Sequence, residues 1–311
     1  MNWFVKNLII LLVFNTGARW LNGQSFAELN SNIRGTVYKS LEVNSKVLNN
    51  KLEYSIYLPP YYHTTADSFP VLYLLHGYKG DETSWIDRCE IHIIIDSLII
   101  INEIPPLIVV MPDARNSYYI NDYLFQFPYE DMFIREFIPY IDSTYKTFSN
   151  LRYRIIGGLS MGGFGAIIQS IKHADVFGSC IALSAAIRTD EMIINMKSED
   201  YNVKFSHIFG KDLDGKERIT ENWKVNSPFY IIGDSISDKL RTINWYFDCG
   251  MNDIFIQANE MLHELFLKYN IPHEYHVRIG SHNWEYWRYG IINGAKFIVS
   301  QIVKHNLNDS Y

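Results

Sequence analysis

Gly158-Leu-Ser-Met-Gly162, with Gly163 following, sets a serine between glycines where a short apolar block, Tyr153-Arg-Ile-Ile156, runs out. A segment with helical spacing begins at Met161. A serine hydroxyl is a poor nucleophile unless a base takes its proton as it attacks. A sharp strand-to-helix turn would present it, because glycines leave room for the crossing backbones. The start of the helix would also aim free amides at any oxyanion formed there. The chemistry open to such a serine is acyl transfer. The motif alone is weak, so the reading depends on partners elsewhere in the chain.

The base should sit on a loop that closes a strand. His282, in Gly280-Ser-His-Asn-Trp284, follows the last apolar strand, residues 273–279. An acid must hold the imidazole in one tautomer and stabilise its charged form. Asp253 follows the preceding strand, 243–247, and lies past the turn at Gly250. Asp248 is its rival, being nearer that strand. Because a base histidine must be neutral, turnover is expected to fall below roughly pH 6.5. Two backbone donors must face the developing oxyanion. Met161 N–H supplies one by the elbow geometry, and Tyr78 N–H, in His76-Gly-Tyr-Lys-Gly80, is the expected second. His76 precedes the serine and suits that loop better than it suits a base. His273 and His276 point to opposite faces of one strand and would chelate a metal poorly. His173, His207 and His263 fall in helices or in a polar segment and read as structural. No zinc spacing occurs, and Asp212-Leu-Asp-Gly215 lacks the full ligand spacing of a calcium loop and reads as a turn. Asp113, after Val110-Met-Pro, reads as ordering its own loop. No metal or organic cofactor is expected.

The elements that would position these residues follow from patterning. Residues 35–43 and 51–58 alternate apolar and polar, as half-exposed edge strands do. Residues 71–75, 107–111, 153–156 and 180–183 are short apolar blocks, the signature of strands buried on both faces of a parallel sheet. Segments 85–102, 130–145 and 161–173 have helical spacing and would serve as crossovers, and further helices are expected at 254–269 and 284–305. This is an α/β chain with a mostly parallel central sheet and helices on both faces. Residues 187–239 break the alternation and read as a polar insertion partly covering the site. One domain, 24–311, is expected.

The first residues differ in kind. A short positive start and the apolar run Leu8-Ile-Ile-Leu-Leu-Val-Phe14 match a secretory leader ending near residue 23. That run is too short to span a bilayer, which needs roughly 20 apolar residues. A secreted or periplasmic protein with no stable membrane anchor after cleavage is therefore expected. The formal charge of −6 and the absence of a basic run leave no footprint for nucleic acid. Cys89, Cys180 and Cys249 are too few for a disulfide scaffold in 311 residues and read as buried thiols.

Leu74-Leu-His-Gly77, Trp85, Gly158-Leu-Ser-Met-Gly-Gly163, Asp248-Cys-Gly250 with Asp253, and His282-Asn-Trp-Glu-Tyr-Trp287 together resemble the putative esterase (esterase D-like) family of α/β-hydrolases. That family includes S-formylglutathione hydrolases, tributyrin esterases, feruloyl and acetyl xylan esterases, and the antigen 85 mycolyltransferases. The resemblance runs from about residue 35 to 303, takes in Tyr57-Leu-Pro-Pro-Tyr61 and Glu136-Phe-Ile-Pro-Tyr140, and fails over 187–239. It implies a catalytic triad of Ser160, Asp253 and His282, with the oxyanion hole at Tyr78 and Met161. Combined with export, it implies a small-molecule or oligosaccharide ester as substrate, with removal of acetyl or feruloyl groups from plant-type polysaccharide foremost. A general short-chain carboxylesterase, an S-formylglutathione hydrolase-like thioesterase and a non-catalytic carbohydrate-binding protein are the alternatives. Trp85 and Trp284 are candidates for a substrate platform, against the plainer reading that Trp284 and Trp287 pack the last helix on the sheet.

Overall fold

The computed structural model describes residues 34–308; the expected leader, 1–23, lies outside the described residues. Eight strands form one sheet: β1 (Thr36–Ser45), β2 (Asn50–Leu58), β3 (Val71–Leu75), β4 (Ile108–Pro112), β5 (Arg154–Leu159), β6 (Ser179–Leu183), β7 (Asn244–Gly250) and β8 (His273–Arg278). Their order is β1-β2-β4-β3-β5-β6-β7-β8. The pairs β1–β2 and β2–β4 are antiparallel, and every pair from β4 to β8 is parallel.

β3, β4, β5 and β6 are buried along their whole length, as their unbroken apolar runs require. β1 and β8 form the two edges and alternate in exposure. β2 departs from the edge reading. It lies between β1 and β4, and its second half is covered on both faces. Tyr54, Ile56 and Leu58 enter one core and Tyr57 the other, where its hydroxyl donates to Asp96 at 2.6 Å. The alternation of sequence there separates two interiors rather than inside from outside.

On one face pack α3 (Tyr129–Met132), a π-helical turn (Phe133–Phe137), α4 (Ile138–Thr144), α5 (Met161–Lys172) and α6 (Ile256–Lys268). On the other lie α1 (Ser84–Cys89), α2 (Ile91–Ile100) and α7 (Trp284–Asn308). The helix expected at 85–102 is two helices, because Glu90 adopts a left-handed φ of 53° between them. The helix expected at 130–145 is wound through the π turn, which stacks Phe133 on Phe137 with ring centroids 6.0 Å apart. Both rings meet Tyr73 of β3 edge-on.

Residues 187–239 are not a polar appendage. They form short helices (Asp190–Ile194, Ser198–Lys204, Ser206–Phe209, Glu221–Lys224, Pro228–Ile231 and Asp234–Leu240) whose apolar residues join the main core. Thr189 and Thr220 cap two of them by accepting the Met192 and Trp223 N–H groups. Arg218, fully buried, ties the segment together. Its guanidinium donates to the Leu213 and Ile193 carbonyls, to Ser198 Oγ and to Asp214, and lies over the Tyr201 ring. Asp214 also closes the turn Gly215–Arg218 in a capping box with Glu217, so Asp212-Leu-Asp-Gly215 serves a helix start. Among the described residues no helix is long and apolar enough to cross a membrane.

Candidate active site

Ser160, Asp253, His282 and Tyr78 each lie just past the carboxyl end of a parallel strand. β5 ends at Leu159, and α5 starts at Met161, so Ser160 alone makes the turn. Its φ and ψ are 53° and −115°, a conformation that a non-glycine residue holds only under constraint. The glycines make the constraint possible. A Cβ at Gly162 would lie 2.3 Å from the Leu75 carbonyl oxygen, and one at Gly158 would lie 2.5 Å from the Gly162 carbonyl. Ser160 N–H donates to Leu183 O on β6 at 2.9 Å, which pins the turn to the neighbouring strand.

β8 leads to His282 and β7 to Asp253. The hydroxyl of Ser160 lies 2.9 Å from His282 Nε2, and His282 Nδ1 lies 2.9 and 3.1 Å from the two carboxylate oxygens of Asp253. With Nδ1–H donating to the carboxylate, Nε2 is left bare to accept the serine O–H. Two backbone bonds stitch the Asp253 loop to the His282 loop: Met251 N–H to Arg278 O at 2.9 Å and Asn252 N–H to Gly280 O at 3.0 Å. Asp253 is buried. Burial pushes its carboxyl up, but the bonds from His282 and from Phe255 N–H outweigh that and hold it below the usual carboxylate range. The imidazole is gripped between Phe255 and Trp287, with ring centroids at 5.2 and 4.8 Å.

Asp248 serves elsewhere. Fully buried, it accepts hydrogen bonds from Tyr246, Tyr286 and Arg278, joining β7, β8 and α7 beneath the site. His273 bonds to His263 at 2.7 Å and His276 to Glu274 at 2.9 Å, on opposite faces of β8. All three cysteines are buried free thiols.

The loop after β3 closes the other side. His76, fully buried, accepts Ala114 N–H at Nε2 (3.0 Å) and donates from Nδ1 to Gly77 O (2.8 Å), while Tyr119 O–H donates to its carbonyl. Lys79 N–H is taken by Asn116 Oδ1 and Gly80 N–H by Gly77 O, each at 2.9 Å. Among the described residues Tyr78 N–H, between them, has no acceptor. A Cβ at Gly77 would stand 3.6 Å from Ser160 Cβ, so this loop abuts the serine directly. Met161, the first residue of α5, has no carbonyl one turn earlier in its helix to accept from its N–H. A cleft of about 360 Å³ opens here, with Ser160, His282, Trp284 and residues 77–80 in its wall. Trp85 is corrected as a platform residue: it is fully buried, donates from Nε1 to Leu75 O at 2.9 Å and meets Trp284 edge-on beneath the cleft. Trp284, half-buried, does reach the wall, and it also packs on Trp287.

Phe255, Asn116 and Arg188 carry no motif and were not legible from sequence. Arg188 lies over the rings of Phe255 and Phe205, 4.9 and 4.6 Å from their centroids, and links the 187–239 segment to the wall behind His282. Tyr78 O–H faces Val203 O at 3.5 Å from the same segment.

Residues 45–298 match the family described as "Putative esterase". The chain belongs to that family. This esterase is 26% identical over 235 residues to an acetyl esterase of Caldicellulosiruptor saccharolyticus, covering 75% of this chain and 84% of that one. It is 32% identical over 154 residues to an endo-1,4-beta-xylanase/feruloyl esterase of Xylanibacter ruminicola, covering 47% of this chain but only 21% of that larger protein. Among solved structures it is similar to a ferulic acid esterase, with a TM-score of 0.74, 29% identity and coverage of 86% of this chain and 99% of the other. The esterase is a serine ester hydrolase with an α/β-hydrolase fold.

Proposed function

We propose that Ser160 is the nucleophile, His282 the general base and Asp253 its orienting acid in a two-step acyl transfer. Ser160 Oγ attacks the ester carbonyl as its proton passes to His282 Nε2. The oxyanion is held by the N–H groups of Tyr78 and Met161. The imidazolium then protonates the departing alcohol, leaving an acyl-serine, and the neutral imidazole next takes a proton from water to release the acid. The single observation that supports this reading is the unbroken line of hydrogen bonds from Ser160 through His282 to Asp253 at a strained elbow.

The physiological substrate is proposed to be an acetyl or feruloyl ester on a plant-type polysaccharide or its oligosaccharides, met outside the cytoplasm. The named activities of the acetyl esterase and feruloyl esterase relatives support the acyl groups, and the leader pattern at 1–23 supports export. Replacing Ser160 by Ala is expected to lower p-nitrophenyl acetate hydrolysis by roughly 10⁴- to 10⁶-fold and to abolish fluorophosphonate labelling. Turnover retained by that variant overturns the mechanism. A panel of methyl ferulate, acetylated xylan and p-nitrophenyl butyrate tests the substrate: preference for the butyrate alone would make this a general short-chain carboxylesterase.

A further inference from the structure

The cleft beside Ser160 carries a charge bias that ester hydrolysis by itself does not require. Two cationic side chains stand in its wall, Lys79 on the turn after β3 and Arg88 on α1, and among the described residues no carboxylate does. The chain as a whole is acidic, at −6, so this bias runs against the average surface.

Among the described residues neither cation is ion-paired: of the carboxylates on the same stretch, Asp87 and Glu90 pair with other cations, and Asp81 and Glu82, still charged, are turned to hydroxyl and amide donors. Asp87 pairs with Lys39, and Glu90 with Arg288 at 3.4 Å. Glu82 accepts the Ser40 hydroxyl at 2.6 Å. Asp81 accepts Thr83 N–H at 2.9 Å and the Ser84 hydroxyl at 3.1 Å, which fixes the start of α1. Glu285, next to Trp284, is exposed and forms no ion pair with either cation. Among the described residues the ammonium of Lys79 and the guanidinium of Arg88 have no partner. Two exposed cations without an ion-pair partner at the mouth of a cleft are available to hold an anionic group of a bound substrate. A planar guanidinium suits a carboxylate, and Trp284 in the same wall offers a flat apolar surface for a ring beside it.

We propose that the preferred substrates of this esterase are esters that also bear a carboxylate, such as acylated saccharides containing a uronic acid, with the carboxylate held by Lys79 and Arg88. The proposal rests on Ser160 acting as the nucleophile. It assigns the two side chains to substrate selection and to no step of bond making or breaking.

The test compares paired esters that differ chiefly in charge, each pair serving as its own reference across the variants. 4-Acetoxybenzoate against its methyl ester places the anion on the leaving alcohol; p-nitrophenyl hemisuccinate against p-nitrophenyl butyrate places it on the acyl group. The measured quantity is the ratio of kcat/KM for the charged over the neutral member, in wild type, in the double variant Lys79→Gln/Arg88→Gln and in Arg88→Glu. Taking each exposed ion pair at a few-fold, the ratio in at least one pair of esters should fall about three- to tenfold in the double variant and further in Arg88→Glu. In wild type it should shrink in 0.5 M NaCl, which screens exposed charges. The pair that responds identifies which side of the ester bears the anion. Ratios unchanged in both pairs, with melting curves showing folded variants, overturn the proposal and leave the hydrolytic reading standing. No turnover of either neutral ester and no fluorophosphonate labelling would instead remove the hydrolytic reading itself.

Discussion

Gly162→Ala puts one methyl group where the Ser160 turn crosses β3. The added Cβ would stand 2.3 Å from Leu75 O and 2.7 Å from His76 O, both backbone atoms that cannot swing aside as a side chain could. A carbon and an oxygen out of bonding reach need roughly 3.3 Å, so α5 and β3 must part by roughly 1 Å. Strain of this kind in a packed interior costs about 1–3 kcal/mol. At roughly 2–4 °C per kcal/mol for a domain of this size, the melting temperature should fall by about 2–12 °C. The same shift moves Ser160 against His282 and against the Tyr78 amide. A misplacement of roughly 1 Å at a reacting centre can cost about 10²-fold in rate. Circular dichroism melts and p-nitrophenyl acetate hydrolysis, run on the same preparations, read the two effects separately. Gly233→Ala is the control, because its Cβ would meet nothing within 4 Å and its φ is extended. A Gly162→Ala enzyme with wild-type kcat/KM and melting temperature would refute the account of a crossing that tolerates only glycine.

The two aspartates near β7 should separate by assay. Asp253→Asn is expected to cut kcat by about 10³–10⁴-fold with little loss of stability, whereas Asp248→Ala, which leaves the Tyr246 and Tyr286 hydroxyls and the part-exposed Arg278 without their acceptor, should cost about 2–4 kcal/mol in denaturant melts. Burial pushes the Cys89 and Cys180 thiols up to about 12, and raises Cys249 as well, so none should react with a disulfide reagent at pH 8 until denaturant is added. Prompt labelling of the native protein would contradict that burial. Glu130 is raised by burial but lowered more by His173 and Lys172, so its carboxyl is held below 4.5 overall. Its contribution to stability is full above pH 4.5 and drains away as pH falls through the lowered folded value; Glu130→Gln should flatten the acid limb of a plot of stability against pH.

Residues 158–162, 253 and 282 could be located in the sequence because each closes a strand and local patterning marks strand ends well. The doubly buried strands were legible for the same reason: burial on both faces leaves an unbroken apolar run, as in Val71–Leu75. What stayed hidden depends on contacts between distant residues. Nothing in the run from 51 to 58 says that both sides of β2 are covered. No local signal marks Glu90 as left-handed, since its side chain has no need of that conformation. The helices of the 187–239 segment span four to seven residues, too short for a 3.6-residue period to emerge, and Arg218, a charged residue, holds their interior together. Trp85 shows the converse error. An aromatic residue close in sequence to a site can be its floor, and only the bond to Leu75 O distinguishes floor from wall.

His282, the proposed base, follows β8, which among the described residues is paired on one side only, while Ser160 hangs from β5, paired on both. Local opening of a sheet begins at its rim, where backbone bonds meet water and few neighbours resist. Fraying there would carry His282 away and leave the interior closed. Turnover should then be lost at a lower temperature or denaturant concentration than the circular dichroism signal, and coincident losses would refute this order of events.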